Sequence, residues 1–221
     1  VWRGRLLREA GVTPVTELPG VGANLQDHLQ LRMIYKVRNV RTLNQQASSL
    51  FGKAGIGLEY LLFRSGPMSM SPSQLGAFAR SSDGESSPDL EYHVQPLSLD
   101  RFGEPLHDFP AFTASVCHLR PSSRGEVRIT RPLRSRPEEA LARAAGEVGT
   151  TIFHPVGTCK MGPSSDPMAV VDARLRCHRV PGLRIVDASV MPTITSGNTN
   201  SPTLMIAEKA AEMMLTDRRQ R

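Results

Sequence analysis

The chain has 221 residues, of which 39% are hydrophobic and 22% are charged, so it can bury a core as one large domain or as two small ones. It contains no run of about eighteen apolar residues, which argues against a transmembrane segment. The net charge of +6 raises nucleic acid as a partner, but much of the excess comes from arginines within residues 120–136 and at the C-terminus, and aromatic content is only 5%. We therefore expect no nucleic-acid partner.

Cysteine usage and the N-terminal residues bear on compartment and metal binding. The three cysteines, Cys117, Cys159 and Cys177, are odd in number and widely spaced, which argues against a disulfide framework and for a reducing compartment. No C-x-x-C or H-x-x-x-H spacing is present, so we expect no metal site. The first residues do not resemble a signal peptide. These features predict a cytoplasmic protein, with peripheral membrane association left open.

The first half of the chain predicts alternating helices and strands. Residues 3–10 are typical of a helix that ends at Gly11, and the loose alternation over 31–37 predicts a strand. Apolar positions near helical spacing predict a helix over 46–64. A stretch rich in Ser, Pro and Gly follows, with a short strand at 75–80.

The second half predicts a sheet and a closing strand–loop–helix unit. Strands are expected at 90–94, 112–119 and 125–130, which together indicate a mixed or antiparallel sheet in an α+β domain. A short helix is expected at 138–146 and an apolar strand at 183–187. The last helix is expected to begin with Ser201 as N-cap and Pro202 at its first position.

His154 is the first residue with chemical promise. A lone histidine is more often structural, but this one is followed by Pro155, which restricts its backbone, and by Gly157 and Gly162, which permit tight turns and close approach of a ligand. An unperturbed imidazole titrates near pH 6.5, where a general base for an alcohol should be poised. Both readings, structural residue and base, remain open on these grounds.

The strand–loop–helix unit over 183–206 is the second candidate. Unpaired backbone N–H groups and the helix dipole favour negative charge where the last helix begins. That charge suits the N1–C2=O edge of a flavin that has accepted a hydride. A routine capped helix explains the same residues.

Several ordered motifs resemble the glucose–methanol–choline (GMC) oxidoreductase family, most closely its choline dehydrogenase-like members. The match is densest over 150–214, the C-terminal portion of the family's chain. The motifs are His-Pro-Val-Gly-Thr-Cys-Lys-Met-Gly over 154–162, Leu-Arg-Ile-Val-Asp-Ala-Ser-Val-Met-Pro over 183–192, Ser-Gly-Asn-Thr-Asn over 196–200, and the glycine-punctuated loop over 18–28.

The resemblance implies FAD as cofactor and oxidation of a primary alcohol, choline-like or other, to an aldehyde. His154 would take the hydroxyl proton, or hold the alkoxide, while a hydride passes to flavin N5, and Asn198 would hydrogen-bond the substrate oxygen. The electron acceptor, dioxygen or a quinone, is left open. Further residues match positions that contact the cofactor: Asn24, Asp187, Ala188, Asn200, Pro202 and Thr203.

The resemblance also implies the domain plan. Residues 1–30 and 150–221 would belong to an FAD-binding Rossmann-like α/β domain, and residues 31–149 to a substrate domain built on a mixed or antiparallel sheet. The substrate domain is expected to be shortened near 131–137. No G-x-G-x-x-G motif occurs to hold the dinucleotide phosphates. We therefore expect an incomplete, inactive chain, with a non-catalytic remnant or interaction module as the alternative.

Overall fold

A computed structural model of the chain describes residues 4–9, 11–71, 73–100, 103–128 and 150–219. The chain divides into two compact units. Unit 1 comprises Val1–Leu29 with Leu119–Arg221, and unit 2 comprises Gln30–His118. Within the described ranges, no helix is both long enough and apolar enough to cross a membrane.

Unit 2 is built on an antiparallel sheet. Its strands are β1 (Leu29–Lys36), β2 (Leu75–Ala79), β3 (Leu90–Gln95) and β4 (Ala111–His118), in the spatial order β2-β3-β4-β1. The strands expected at 31–37, 75–80, 90–94 and 112–119 are confirmed to within two residues. Burial alternates along β3 and β4, which is the period of two expected when one face of a sheet is covered.

The helix predicted over 46–64 is two helices instead of one. The short α2 (Leu43–Gln46) is followed by α3 (Leu50–Phe63). The break occurs because Ser49 takes an extended backbone and its side chain accepts a hydrogen bond from the Gly52 N–H, which starts a new helix. The second helix ends at Arg64, whose φ of 53° is left-handed.

Unit 1 contains little regular structure. It holds α1 (Gly4–Glu9), the two-residue strand β5 (Thr150–Thr151), a 3₁₀ turn (Ala188–Val190) and α4 (Asn200–Arg219). The helix expected at 3–10 is confirmed, with Gly11 at a φ of 80° behind it. Isolated bridges join the remaining segments around an apolar core that contains Leu18, Val21, Val170, Val171, Leu175, Cys177, Val190 and Ala210.

Two expectations for the end of unit 1 are wrong. Residues 183–187 form no strand: Arg184 makes one isolated bridge to Arg176, and the Asp187 carboxylate then accepts from the Ser189 N–H at 2.8 Å and turns the chain into the 3₁₀ turn. The last helix begins at Asn200 and not after Ser201, because the Thr199 carbonyl accepts the first helical bond, from the Thr203 N–H at 3.1 Å. A Rossmann-like sheet is therefore not confirmed in the described part of unit 1.

The remaining strand and helix expectations fall at the edge of the described ranges. The strand expected at 125–130 is reduced, over residues 125–128, to an isolated bridge between Leu25 and Gly125. The helix expected at 138–146 and the shortened region at 131–137 lie outside the described residues.

Candidate functional site

The loop that carries His154 lies between two other segments of unit 1. On one side, Gln26 and Val156 exchange both backbone hydrogen bonds, at 3.1 and 2.9 Å. On the other side, the Cys159 N–H donates to the Ser189 carbonyl at 2.9 Å and the Met161 N–H to the Val190 carbonyl at 2.8 Å. Main-chain hydrogen bonds thus join the glycine-punctuated loop, the His154 loop and the segment before α4.

Gly157 makes the close approach of the first two segments sterically feasible. Its φ is 89°, and a Cβ at this position would lie 2.6 Å from the Asn24 carbonyl oxygen. A contact that short with backbone atoms cannot be relieved by moving a side chain. Both the backbone conformation and the packing therefore require glycine.

Two amide side chains connect the glycine-punctuated loop to the turn that follows Met191. Asn24 Nδ2 donates to the Pro192 carbonyl at 3.2 Å, and Gln26 Nε2 donates to the same carbonyl at 3.1 Å. Gln26 Oε1 also accepts from the Ile194 N–H at 3.3 Å. Gln26 is 2% exposed, so these bonds fix the segment that leads into Asn198 and α4 with little competition from water.

His154 is paired with a second histidine. The Nδ1 atoms of His28 and His154 lie 3.1 Å apart, with the rings edge to face at 79°. His28 is almost fully buried, and its Nε2 lies 3.2 Å from the Leu119 carbonyl oxygen. His154 is half-buried.

These two contacts determine the protonation of both rings in their neutral forms. The Leu119 carbonyl can only accept, so His28 carries its proton on Nε2 and presents a bare Nδ1. His154 must then donate from Nδ1, which leaves its Nε2 without a proton. The assignment follows from the hydrogen-bond pattern. Such an Nε2 can accept a proton from a ligand.

Asp27 supports the same pair through its carboxylate. Its Oδ1 accepts from the backbone N–H of His154 at 3.1 Å and from that of His28 at 2.8 Å, and its Oδ2 accepts from the Thr151 hydroxyl. Between Thr151 and His154, Phe153 takes a left-handed φ of 66°. A non-glycine residue in that region stores strain that surrounding contacts must maintain, which is common at functional sites.

The other predicted site residues lie on or near the start of α4. Asn198 is exposed in the turn before the helix, and its side chain makes no hydrogen bond within the described ranges. Asn200, Pro202 and Thr203 form the first turn of α4, where the Thr203 hydroxyl donates to the Thr199 carbonyl at 2.7 Å. Asp187 and Ala188 begin the 3₁₀ turn. Their roles stay predictions.

Cysteine chemistry and metal binding contribute nothing that we can assign to this site. Burial raises the pKa of the Cys159 thiol, which keeps it protonated and a poor nucleophile. Across the part of the chain that the structure describes, no three His, Cys, Asp or Glu side chains are grouped as metal ligands.

The sequence alone assigned no role to His28, Asp27 or Gln26, although they are consecutive in the glycine-punctuated loop. All three place polar side chains toward the His154 loop or the turn after Met191. The sequence signal that could have identified them is a run of three side chains able to form hydrogen bonds, directly after the glycines of this loop.

The chain matches a known protein family over more than half of its length. A family model described as GMC oxidoreductase matches residues 73–207. Proteins named oxygen-dependent choline dehydrogenase are 34% identical over 258 residues in Brucella canis and over 261 in Vibrio vulnificus. Each alignment covers 95% of this chain, but 47% and 46% of the respective relative. Both alignments are longer than this chain, so the relatives contain internal residues that it lacks.

Several solved structures share the fold of this chain. The formate oxidase of Aspergillus oryzae superimposes with a TM-score of 0.82 at 20% identity, covering 100% of this chain and 51% of the oxidase. An FAD-dependent oxidoreductase from Chaetomium thermophilum gives 0.73 at 18% identity, covering 99% and 52%. The chain spans about half the length of the curated relatives it matches. Because of the match to the family model and the 34% identity to the choline dehydrogenases, the chain belongs to the GMC oxidoreductase family.

Proposed function

We propose that this chain supplies the proton-accepting side of an FAD-dependent oxidation of an alcohol to an aldehyde, with His154 as the base. The observation that carries the proposal is the His28–His154 pair, because it leaves His154 Nε2 unprotonated. The names of the relatives, which include choline dehydrogenases and an FAD-dependent oxidoreductase, support the reaction class and the cofactor.

The residues at the start of α4 fit a polar ring edge such as that of a flavin. Thr195 Oγ1 is buried and has no hydrogen-bond partner among the described residues. Gly197 borders open space, since a Cβ there would meet no atom within 4 Å. The first-turn N–H groups of the 20-residue α4 add positive potential. Asn24, Asp187, Ala188, Asn200, Pro202 and Thr203 would contact the cofactor.

In this proposal the chain's own residues bind, orient and move a proton. His154 Nε2 takes the hydroxyl proton of the alcohol, and Asn198 hydrogen-bonds the same oxygen. His28 and Asp27 hold the His154 ring and backbone in place, which reduces the reorganisation needed when the proton moves. FAD, when bound, supplies the chemistry that removes a hydride, one proton with two electrons, from the alcohol carbon.

The domain plan is part of the same proposal. Residues 1–30 and 150–221 would form part of the Rossmann-like FAD-binding domain, and residues 31–149 the substrate domain. The half of the relatives that this chain does not match would hold the dinucleotide phosphates. Turnover would then require that half, and this chain alone would be inactive.

Binding of FAD by the purified chain tests the proposal. Quenching of flavin fluorescence should saturate, and Asn200→Ala, at a proposed cofactor contact, should weaken it, while Ser164→Ala at an exposed position should not. His154→Gln should leave FAD binding unchanged because the residue serves the proton. No saturable quenching up to the solubility of the chain would contradict flavin binding by these residues.

A non-catalytic interaction module is the second candidate, favoured by the apolar surface of α3. Leu50, Phe51, Leu61 and Phe63 are between 69% and 92% exposed. Exposure of that kind is typical of surfaces that associate with a partner. Self-association that is lost in Phe51→Ser, without FAD binding, would favour this candidate.

A further inference from the structure

The outward side of α3 is apolar. Leu50, Leu58 and Leu61 are 83%, 57% and 69% exposed, and Phe51 is 92% exposed. Residues separated by three, four, seven or eight positions lie on the same side of a helix, so these side chains form one continuous surface. We call this surface the outer stripe, and it consists of Leu50, Phe51, Ala54, Leu58, Leu61 and Leu62.

The side of α3 that faces the rest of unit 2 carries Gly52, Ile56 and Tyr60, which are half-buried and spaced by four residues. A Cβ at Gly52 would lie 1.9 Å from the Gln46 carbonyl oxygen, so α2 packs closely there. A Cβ at Gly55, in contrast, would meet no atom within 4 Å. The helix therefore turns its larger apolar surface away from its own core, which is the reverse of the usual orientation in a globular protein.

The part of the chain around α3 is strongly basic. Residues 36–80 contain only one acidic residue, Glu59. A second copy of the chain would carry the same excess of positive charge, so two copies would repel each other at this surface, whereas an anionic surface would attract it. The basic residues of this range are all exposed, and they are Lys36, Arg38, Arg41, Lys53, Arg64 and Arg80.

An exposed apolar stripe bordered by cations is typical of helices that lie in the interface of a lipid bilayer. Their apolar side chains enter the boundary of the acyl chains, and lysine and arginine reach the headgroups on long stems. Met68, in the turn Pro67–Ser69 that packs on α3, is 58% exposed and extends the apolar surface. With 14 residues, α3 is too short to span a bilayer and would lie along it.

We propose that α3 attaches unit 2 to the surface of an anionic lipid bilayer, with the outer stripe in the interface and Lys53 and Arg64 against lipid phosphates. The surface includes no residue of the proposed oxidation site. Attachment to lipid and the proposed function can therefore fail independently of each other.

Co-sedimentation of the 221-residue chain with lipid vesicles tests the proposal. The vesicles are made of phosphatidylcholine, with or without phosphatidylglycerol. The chain should bind saturably to the anionic vesicles and at least about tenfold more weakly to the neutral ones, because lysine and arginine lose their attraction to the surface. High salt should weaken binding to the anionic vesicles, since it screens the same attraction.

Leu58→Gln should weaken binding to the anionic vesicles about tenfold, because it removes one apolar side chain from the surface that enters the interface. Leu215→Gln is the matched control, since Leu215 on α4 is also 57% exposed, and it should leave binding unchanged. Both side chains are exposed, so neither substitution should change the thermal unfolding midpoint.

Three results would overturn the proposal. The first is no saturable binding of the unmodified chain to the anionic vesicles. The second is an equal effect of Leu58→Gln and Leu215→Gln on that binding. The third is self-association without lipid that Leu58→Gln abolishes, in a chain that does not bind vesicles, which would assign the outer stripe to a contact between proteins.

Discussion

The Nδ1 atoms of His28 and His154 lie 3.1 Å apart, and one proton must be shared between them. His28 Nε2 faces the Leu119 carbonyl oxygen at 3.2 Å, so in the neutral pair the shared proton belongs to His154. The protonation of a half-buried ring is thereby governed by a main-chain carbonyl 35 positions before it in the sequence. In the proposed function, His28 would position the ring of His154, and His154 would meet the substrate.

Gly157→Ala should destabilise the chain. Alanine would carry the strain of a φ of 89° and would place its Cβ 2.6 Å from the Asn24 carbonyl oxygen. Gly182→Ala is a matched control, since its φ is 81° and its Cβ would meet nothing within 4 Å. We expect Gly157→Ala to lower the free energy of unfolding, measured with urea, by about 1–3 kcal/mol more than Gly182→Ala does, because only the Gly157 substitution adds an atom to a space that is already filled. Equal losses would mean that the contact with Asn24 is easily relieved.

Gln26→Leu should also be destabilising, through unsatisfied backbone groups. It removes the acceptor for the Ile194 N–H and one of two donors to the Pro192 carbonyl in a buried setting. The expected loss is about 2 kcal/mol or more. Gln46→Leu in α2 makes the same chemical change outside this network and should lower the free energy of unfolding by clearly less. A loss for Gln26→Leu no greater than the control would argue against the role assigned to its amide.

Acid should weaken the attachment of α4. Burial raises the pKa of Asp217, but ion pairs with Arg174, at 2.5 Å, and with Arg184 outweigh it, so the pKa lies below the ordinary 3.8. A carboxyl group whose pKa is lower in the folded chain adds stability above its unfolded pKa, and that contribution disappears as pH falls through the folded pKa.

The free energy of unfolding should therefore be higher in the wild type than in Asp217→Asn at neutral pH, and the two should converge as pH falls through the folded pKa of Asp217, which lies below the ordinary value. Urea unfolding at a series of pH values measures the difference. Asp83→Asn, at an exposed position in unit 2, should follow the wild type throughout. A gap between wild type and Asp217→Asn that does not change with pH would contradict the assignment.

The sheet of unit 2 was predictable because alternation is a local signal. The strands at 90–94 and 112–119 were expected and found at Leu90–Gln95 and Ala111–His118. The prediction of a single helix over 46–64 was wrong in one respect, because the spacing of apolar residues does not show that Ser49 caps a new helix. The orientation of the sheet, with Glu91 and His93 buried, contradicts the usual rule and could not be read from the pattern.

Unit 1 was less predictable because long-range side-chain contacts hold it together. The bond from Asn24 Nδ2 to the Pro192 carbonyl joins residues 168 positions apart and leaves no periodic trace in the sequence. Residues 183–187 look like a strand, yet the capping bond of Asp187 turns the chain. His154 was identified from its own loop, whereas its partner His28, 126 positions away, was not.

The ¹⁵N NMR spectrum of the His154 ring, recorded at a pH where the ring is neutral, is the decisive test of the histidine pair. We expect a protonated Nδ1 and an unprotonated Nε2 in the wild type. His28→Asn, which keeps an acceptor near the position of Nδ1, should preserve this state, and His28→Phe should let a protonated Nε2 appear. A wild-type His154 protonated on Nε2 would contradict the claim that the histidine pair prepares this ring to accept a proton.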